Sequence, residues 1–418
     1  MEKTYETDEK IEKVILVAVS TGDEDEVRDS LDELEELVNT AGAVSVGRLI
    51  QNRESAHPGS YLGKGKIQEL SIVMEELGAV GIVCDDELSP AQIKNLEDVL
   101  NKKILDRTQV ILDIFAKRAS TKEGKIQVEL AQLKYRSARL VGLRASLSRL
   151  GGGIGTRGPG EKKLEIDRRI IKERIGILKR EIKEIEEHRE TLRQKREKNP
   201  MPVVAIVGYT NAGKSTLLNR LTDAGVLEED KLFATLDPTT RNLKLESGQE
   251  ILFTDTVGFI RKLPHNLIDA FRSTLEEAKY ADIILHVVDS SNIQMDKQMH
   301  TVYSTLSELG VEGKTIITVF NKVDKNTEKP ILKDFKADHT VMASMKTGEG
   351  VKEMLDVLEG VLREKKVLIT EKFDFKDAGK IQLIRKYGEL LKEEYLEDGI
   401  YVEGFVPVEI EGKIRSKK

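Results

Sequence analysis

Residues Pro202 to Thr216, PVVAIVGYTNAGKST, decide the fold of the domain that contains them. An apolar run suited to a buried strand leads into a glycine-rich turn and then a helix start. Gly208 to Ser215 follows the pattern G-x-x-x-x-G-K-S, in which backbone N–H groups surround a phosphate. We expect Lys214 to reach the β- and γ-phosphates of a nucleotide and the Ser215 hydroxyl to ligate Mg²⁺. The alternative is a glycine-rich strand–helix turn that carries a lysine by chance.

Three further motifs follow the phosphate loop and specify the nucleotide. Asp255-Thr256-Val257-Gly258 ends an apolar strand as D-x-x-G, which brings a carboxylate near the Mg²⁺ water shell and a glycine N–H near a γ-phosphate. Asn321-Lys322-Val323-Asp324 is N-K-x-D, whose aspartate accepts hydrogen bonds from guanine; adenine has no donor at that ring nitrogen. Ser344-Met345-Lys346 resembles the S-x-K element that supports the guanine carbonyl. The four motifs in this order predict a GTPase-type domain.

The stretch between the phosphate loop and D-x-x-G contains the first switch. We expect Thr235 to complete the magnesium site with Ser215, while Thr239 and Thr240 are alternatives that would otherwise be turn residues beside Pro238. The residues predicted to act on the reacting phosphate are Lys214, Thr235 and Gly258. The full predicted nucleotide site is Gly208, Tyr209, Thr210, Asn211, Ala212, Gly213, Lys214, Ser215, Phe233, Ala234, Thr235, Leu236, Asp237, Asp255, Thr256, Val257, Gly258, Asn321, Lys322, Val323, Asp324, Ser344, Met345 and Lys346.

Two residues at the edge of these motifs bear on hydrolysis. Phe259 follows Gly258, where small GTPases commonly carry a glutamine that orients the attacking water. Phenylalanine has no donor or acceptor, so we expect slow intrinsic hydrolysis and a missing group supplied by another loop or by a partner. P-loop GTPases that carry asparagine at the position of Asn211 often use K⁺ as an additional charge neutraliser, so we expect the same here. Equal GTP hydrolysis rates in K⁺ and Na⁺ buffers would contradict this.

Composition points to a multidomain protein of a reducing compartment. A chain of 418 residues exceeds one ordinary domain, and its single cysteine, Cys84, lies in an apolar run that indicates a buried thiol. No signal peptide or membrane-spanning run is evident, so we expect a cytoplasmic protein. The net charge of −6 is uneven, because residues 117–198 hold 24 Lys/Arg against 12 Asp/Glu. That asymmetry favours a polyanion-facing surface, although charge runs are usually solvated helix faces.

The chain before the phosphate loop contains two different regions. Alternating strand and helix patterns from Lys13 to Phe115 predict an α/β subdomain with a largely parallel sheet. The run Gly63 to Lys66 lacks the spacing of a phosphate loop. From Ile126, two long amphipathic patterns predict a basic antiparallel helical hairpin, with apolar seams that run to Leu147 and from Ile171 to Leu192. Its connection, Gly151 to Glu161, is glycine-rich and belongs to neither helix; we expect it to contact a crowded polyanion rather than to be a solvated turn.

The predicted class is α/β: a P-loop GTPase domain preceded by an α/β subdomain and an antiparallel helical hairpin, and followed by a small α+β domain. The predicted boundaries are 1–118, 119–199, 200–366 and 367–418. In the last domain we expect strands at Val367–Thr370 and Ile400–Ile410, a helix at Lys376–Lys386, and a docking or regulatory role.

The whole chain resembles the HflX family of ribosome-associated GTPases. The resemblance rests on Gly151–Glu161 (GGGIGTRGPGE), Phe233–Arg241 (FATLDPTTR), Asp255–Phe259 (DTVGF) and the continuation Ile260–Pro264. It implies binding to the 50S ribosomal subunit through 23S rRNA, no DNA, a monomer, and splitting or rescue of stalled ribosomes under stress. The tip of the hairpin would approach the peptidyl transferase region. Some members are reported to bind ATP through the N-terminal region, but no motif in this chain supports that.

Two other functions remain open. A GTP-gated RNA-binding factor in ribosome assembly would use the same hairpin, whereas a signalling adaptor for a membrane protease has no need of so basic a segment. Split ribosomes in a sedimentation profile favour a splitting factor, and immature subunits on deletion favour an assembly factor. RNA binding should weaken steeply with salt.

Overall fold

The computed structural model describes residues 11–147, 159–197, 201–222, 232–264, 277–326, 332–364 and 366–415. The chain divides into two compact units, residues 1–183 with 261–271 and residues 184–260 with 272–418. Among the described residues, no helix is both long and apolar enough to cross a bilayer.

The N-terminal region is a four-stranded sheet with helices between the strands. The strands are β1 (Lys13–Ser20), β2 (Val44–Asn52), β3 (Gly81–Cys84) and β4 (Lys103–Asp106), and the helices are α1 (Glu24–Ala41), α2 (Lys64–Leu77), α3 (Pro90–Leu100) and α4 (Arg107–Arg118). The order is β2-β1-β3-β4 and every pair is parallel, as the sequence predicts. Apolar side chains of β1 pack with α2 and α3, and Cys84 is fully buried among them. The Gly63–Lys66 run only begins α2, with Gly63 as its N-cap.

The basic region consists of α5 (Lys122–Leu147) and α6 (Pro159–Glu197). Tyr135 and Leu130 of α5 and Leu178 of α6 are buried, while Arg174 of α6 donates to both carboxylate oxygens of Glu129 at 2.7 and 2.9 Å. The prediction that Gly151–Glu161 belongs to neither helix is wrong at its end: residues 159–161 form the first turn of α6. A proline suits a first turn because that N–H has no partner within the helix. Residues 151–158 lie outside the described part of the chain.

The GTPase-type region is a six-stranded sheet. Its strands are β5 (Val203–Gly208), β6 (Thr239–Lys244), β7 (Glu250–Asp255), β8 (Ile283–Asp289), β9 (Thr315–Asn321) and β10 (His339–Met342), in the order β10-β9-β8-β5-β7-β6. Among the strand pairs that the structure describes in this region, only β6–β7 is antiparallel. The helices described here are α7 (Lys214–Thr222), α8 (Met295–Glu308) and α9 (Val351–Glu364). The carboxyl ends of parallel strands share one edge of a sheet, which is where ligands bind in such folds.

The last region is a three-stranded antiparallel sheet, ordered β11 (Lys366–Phe373), β13 (Gly399–Pro407), β12 (Glu389–Leu396), covered by α10 (Ala378–Tyr387) and α11 (Val408–Arg415). The predicted strand Ile400–Ile410 is too long, because α11 begins at Val408. Ile410 and Ile414 of that helix are buried against the sheet. β12 was not predicted; half of its residues are charged and most are exposed.

Candidate nucleotide site

The four predicted motifs lie at the same edge of the six-stranded sheet. The phosphate loop follows β5, D-x-x-G overlaps the end of β7, N-K-x-D overlaps the end of β9, and S-x-K follows β10. Because β5 is flanked by β7 and β8, and β9 lies beyond β8, the phosphate-binding elements are adjacent and the base-binding elements lie to one side. The four motifs, which are far apart in the sequence, therefore lie side by side along one edge of the sheet.

The phosphate loop is shaped by glycines with close neighbours. Gly213 has φ +100°, and a Cβ there would lie 2.2 Å from Asn321 Nδ2. A Cβ on Gly258 would lie 3.0 Å from Lys214 Nζ and 2.9 Å from Thr210 Cγ2. A larger residue at Gly213 would therefore collide with Asn321, and one at Gly258 would crowd Lys214 and Thr210.

Lys214 is buried without a carboxylate hydrogen-bond partner in the described residues. Its side chain is 7 % exposed, and Nζ donates to the Tyr209 carbonyl oxygen at 2.7 Å. Burial lowers the pKa of Lys214 to about 8, although Asp255 opposes this and Lys322 adds to it. A buried ammonium near backbone donors is a strong site for a polyanion such as a triphosphate.

Ser215, Thr235 and Asp255 converge beside the lysine. Ser215 Oγ lies 2.8 Å from Thr235 Oγ1 and donates to Asp255 Oδ2 at 3.2 Å. Burial raises the pKa of Asp255, which is fully buried, while Lys214 and the two hydroxyls oppose the shift. Asp255 Oδ1 is buried and accepts no hydrogen bond from the described residues. Two hydroxyls and a carboxylate with an unused oxygen are the oxygen set that Mg²⁺ prefers.

The alternative threonines lie elsewhere. Thr239 and Thr240 are in β6, where they pair with Asp255 and Thr254 of β7, and Thr240 Oγ1 lies 3.0 Å from Thr254 Oγ1. Of the three candidates, only Thr235 has its hydroxyl within hydrogen-bond distance of Ser215 in the described structure.

Phe259 packs inside the protein and its backbone meets the phosphate loop. Its side chain is 2 % exposed, its carbonyl accepts from Thr210 N at 2.8 Å, and its N–H donates to the Gly208 carbonyl at 3.1 Å. The phenyl ring is therefore a core group, and the residue joins D-x-x-G to the loop through the main chain.

The base-binding motifs are tied to the phosphate loop through Asn321. Its Nδ2 donates to the Ala212 carbonyl at 2.8 Å, and its Oδ1 accepts from Met345 N at 2.9 Å. Lys322 Nζ donates to the Asn211 carbonyl at 2.8 Å and pairs with Asp289 at 2.7 Å. Asp324, by contrast, has an exposed side chain at the surface. Asn321 and Lys322 therefore connect the N-K-x-D segment to the phosphate loop, whereas the side chain of Asp324 is exposed.

The remaining predicted residues line or support these elements. Ala234 and Thr256 line the cleft with Asn211, Thr210 and Phe233. Phe233, Leu236 and Val257 are buried, and Ser344 Oγ accepts from Thr347 N at 3.1 Å. Asp237, Val323 and Lys346 are half-buried or exposed.

Sequence reasoning treated Arg261 and Lys262 only as part of a signature, and missed their ion pairs. Lys262 Nζ contacts Asp85 and Asp86, and Arg261 pairs with Glu26 at 3.0 Å. Arg107, 2 % exposed, pairs with Asp85 at 2.8 Å. Burial raises the pKa of Asp85, but the charges of Arg107 and Lys262 outweigh the effect of burial, so the pKa is lowered overall. The sequence feature that could have indicated these ion pairs is the pair of aspartates, Asp85 and Asp86, directly after β3.

The fold and the positions of its motifs define a P-loop GTPase, an enzyme that binds guanine nucleotides and hydrolyses GTP. Residues 203–322 match the family described as 50S ribosome-binding GTPase, residues 28–116 match GTP-binding GTPase N-terminal, and residues 118–196 match GTP-binding GTPase Middle Region. The chain belongs to the HflX family of GTPases.

Three curated relatives, each named GTPase HflX, support this assignment. The protein of Lacrimispora saccharolytica is 68% identical over 98% of this chain and 97% of its own length. That of Caldanaerobacter subterraneus is 50% identical over 97% and 93%. The Escherichia coli protein is 41% identical over 83% and 82%.

Proposed function

We propose that this GTPase binds the large ribosomal subunit in its GTP state and couples hydrolysis to the splitting or rescue of stalled ribosomes under stress. The observation that carries the proposal is the excess of exposed cations between Arg168 and Lys183 of α6. Arg168, Arg169, Lys172, Lys179 and Arg180 are all exposed on this helix. Such a surface fits phosphate contacts, which position a protein on RNA without reading its sequence. The 50S ribosome-binding description of the matching family agrees with it.

The partner chemistry follows from the same surface. Tyr135 is the only Phe, Tyr or Trp in α5 and α6, and it is buried, donating a hydrogen bond to Asp106. Base stacking is therefore not the main mode, and the proposed ligand is structured 23S rRNA contacted through its backbone. We propose a monomer that acts on RNA rather than DNA, with domains at 1–118, 119–199, 200–366 and 367–418.

The phosphate end of the site supports a division of roles. Lys214 would bind the β- and γ-phosphates, and the Gly258 N–H would donate to the γ-phosphate when the D-x-x-G segment closes. Ser215 and Thr235 would hold Mg²⁺, with Asp255 on its water shell; the ion supplies charge neutralisation for the phosphate oxygens. Asn321, Lys322, Asp324 and the 344–346 loop would bind guanine. The K⁺ role inferred from Asn211 stays a prediction.

The slow intrinsic rate inferred from Phe259 gains support from its burial. Because the Phe259 side chain lies in the core, even a polar side chain at this position could not orient the attacking water unless the segment moved. The group that orients the attacking water would therefore come from another loop or from the bound ribosome, and GTP would keep the switch ordered until that contact forms.

The proposal is tested by sedimentation of purified 70S ribosomes with the protein and a non-hydrolysable GTP analogue. We expect the 70S peak to fall and the 50S and 30S peaks to rise, with the protein on the 50S peak, and no change with GDP. Intact 70S particles with protein bound to free 50S subunits would instead favour the assembly factor. Absence of the protein from every ribosomal peak would contradict both.

A further inference from the structure

Arg220 contacts the loop that is expected to hold guanine, although no sequence motif includes it. It lies on α7, the helix that begins at the phosphate-loop lysine. Its Nη1 donates to the Met345 carbonyl at 2.9 Å and to the Lys346 carbonyl at 3.3 Å. A side chain of the phosphate-loop helix therefore reaches the backbone of the S-x-K element.

The same loop is held from its other side by Asn321. Met345 N donates to Asn321 Oδ1 at 2.9 Å, and Asn321 Nδ2 donates to the Ala212 carbonyl at 2.8 Å. Met345 thus has its N–H bound to Asn321 and its carbonyl bound to Arg220. Both restraints lead back to the phosphate loop or to its helix, so the connections form a closed ring.

The backbone after the S-x-K element folds closely around the guanidinium. Gly348 has φ +94°, and a Cβ there would lie 2.3 Å from Arg220 Nη2. Its N–H donates to the Ser344 carbonyl at 2.8 Å, which keeps the turn compact. Only glycine combines this backbone conformation with room for the arginine.

We infer that Arg220 is a positioning residue for guanine binding, which fixes the 344–346 loop and so lengthens the residence time of the nucleotide. The inference rests on the proposed base site. Arg220 does not line the cleft around Lys214, and it holds the loop through two carbonyls. It should therefore affect GTP and GDP alike and leave the hydrolytic step unchanged.

The test compares Arg220→Met, which keeps an apolar stem without donors, with Arg220→Lys, which keeps one charged donor. Dissociation of a fluorescent N-methylanthraniloyl-GDP is measured by stopped flow, and KM and kcat for GTP are measured in parallel. We expect Arg220→Met to raise the dissociation rate and the KM by about tenfold with kcat unchanged, and Arg220→Lys to recover part of the loss. Lys352→Met, which removes an exposed cation from α9, is the matched control and should change neither.

A second variant, Gly348→Ala, disturbs the same contact without changing Arg220, so the test does not depend on whether Arg220→Met folds. Gly348→Ala should speed GDP dissociation in the wild-type background, because its Cβ displaces the guanidinium. In the Arg220→Met background the same change should add less, and this difference isolates the contact from the backbone strain. Strictly additive effects would contradict the inference, as would wild-type GDP dissociation in Arg220→Met.

One further substitution separates this inference from the base site itself. Asp324→Asn should shift the preference from GTP to xanthosine triphosphate, because an amide can donate to the xanthine C2 carbonyl. If the preference shifts but Arg220→Met has no effect, the base site stands and the role of Arg220 is refuted. If Asp324→Asn leaves the preference for GTP unchanged, the base site is wrong and the inference falls with it.

Discussion

Lys214 is a charged residue that the fold buries at a cost in stability. Its pKa in the nucleotide-free protein is about 8, below the 10.5 of an exposed lysine, so the folded state binds fewer protons than the unfolded state between these values. The stability of the nucleotide-free protein should therefore rise with pH across that window, as far as this residue contributes. At pH 7 the full penalty is present.

Lys214→Met should accordingly stabilise the nucleotide-free protein while destroying its function. We expect the free energy of unfolding to rise by about 1–2 kcal/mol at pH 7. The removal of the desolvation penalty raises it, and the loss of the hydrogen bond to the Tyr209 carbonyl offsets part of that gain. Denaturant unfolding measures the gain, and the stabilisation that GTP gives the wild-type protein should vanish. A destabilised variant that still responds to GTP would contradict this account of the residue.

Thr235→Val removes the hydroxyl beside Ser215 and keeps the shape of the side chain. We expect Mg²⁺-dependent GTP hydrolysis to fall by about 10- to 100-fold, the cost of a lost bond to a charged group. Thr240→Val is the matched control, since its hydroxyl meets only Thr254 in the described structure. Equal effects of the two substitutions on the rate would exclude Thr235 as the metal-binding threonine.

Phe259→Gln does not convert this enzyme into a self-sufficient GTPase. The side chain is 2 % exposed, so the amide would be buried, and we expect a loss of about 2–4 kcal/mol in unfolding free energy with no faster intrinsic hydrolysis. Phe259→Leu should retain the intrinsic rate and most of the stability. A faster intrinsic rate in the glutamine variant would show that the residue can reach the attacking water.

The short nucleotide motifs could be recognised from the sequence because each combines reactive or polar residues at a fixed spacing and follows an apolar run that predicts a buried strand. Thr235 was separated from Thr239 and Thr240 only by spacing, and the structure adds the distance to Ser215. Arg220 gave no signal, because its role depends on two carbonyls distant in the chain. Contacts to backbone atoms of another segment have no residue pattern of their own.

At the scale of elements, strands of the parallel sheets were predictable because their residues are apolar on both faces. β8 (Ile283–Asp289), for example, lies between β5 and β9, and all of its residues except Asp289 are buried. β12 was missed because it is an edge strand with charged residues, and α11 was missed because its apolar residues continue the pattern of β13. Edge strands and short helices depend on tertiary packing that local composition does not encode.

The hairpin gives a prediction at the same scale. Replacing Arg168, Arg169 and Lys172 together by Gln should weaken 50S binding and reduce the slope of log K against log salt by about 0.7 to 0.9 for each side chain that contacts a phosphate. Binding of GTP should not change, since these residues lie in α6. The control removes three exposed cations, Lys372, Lys376 and Lys386, from the C-terminal region. A salt slope equal to that of the wild type would show that this face of the hairpin does not bind RNA.

At the scale of the whole molecule, the family could be read from signature stretches along the chain, and nearly full-length relatives confirm it. The domain boundaries stay a prediction. The contacts of residues 261–264 with the N-terminal unit were not predictable, because they include ion pairs between positions far apart in the chain, such as Lys262 with Asp86 at 2.8 Å.

We expect GTP hydrolysis by this enzyme to depend on the ribosome. The decisive measurement is the GTPase rate under multiple-turnover conditions with purified 50S, 30S or 70S particles added to the protein. We predict that 50S and 70S particles raise the GTPase rate by orders of magnitude and that 30S subunits leave it at the intrinsic level. A rate that is the same with and without 50S subunits would contradict the account.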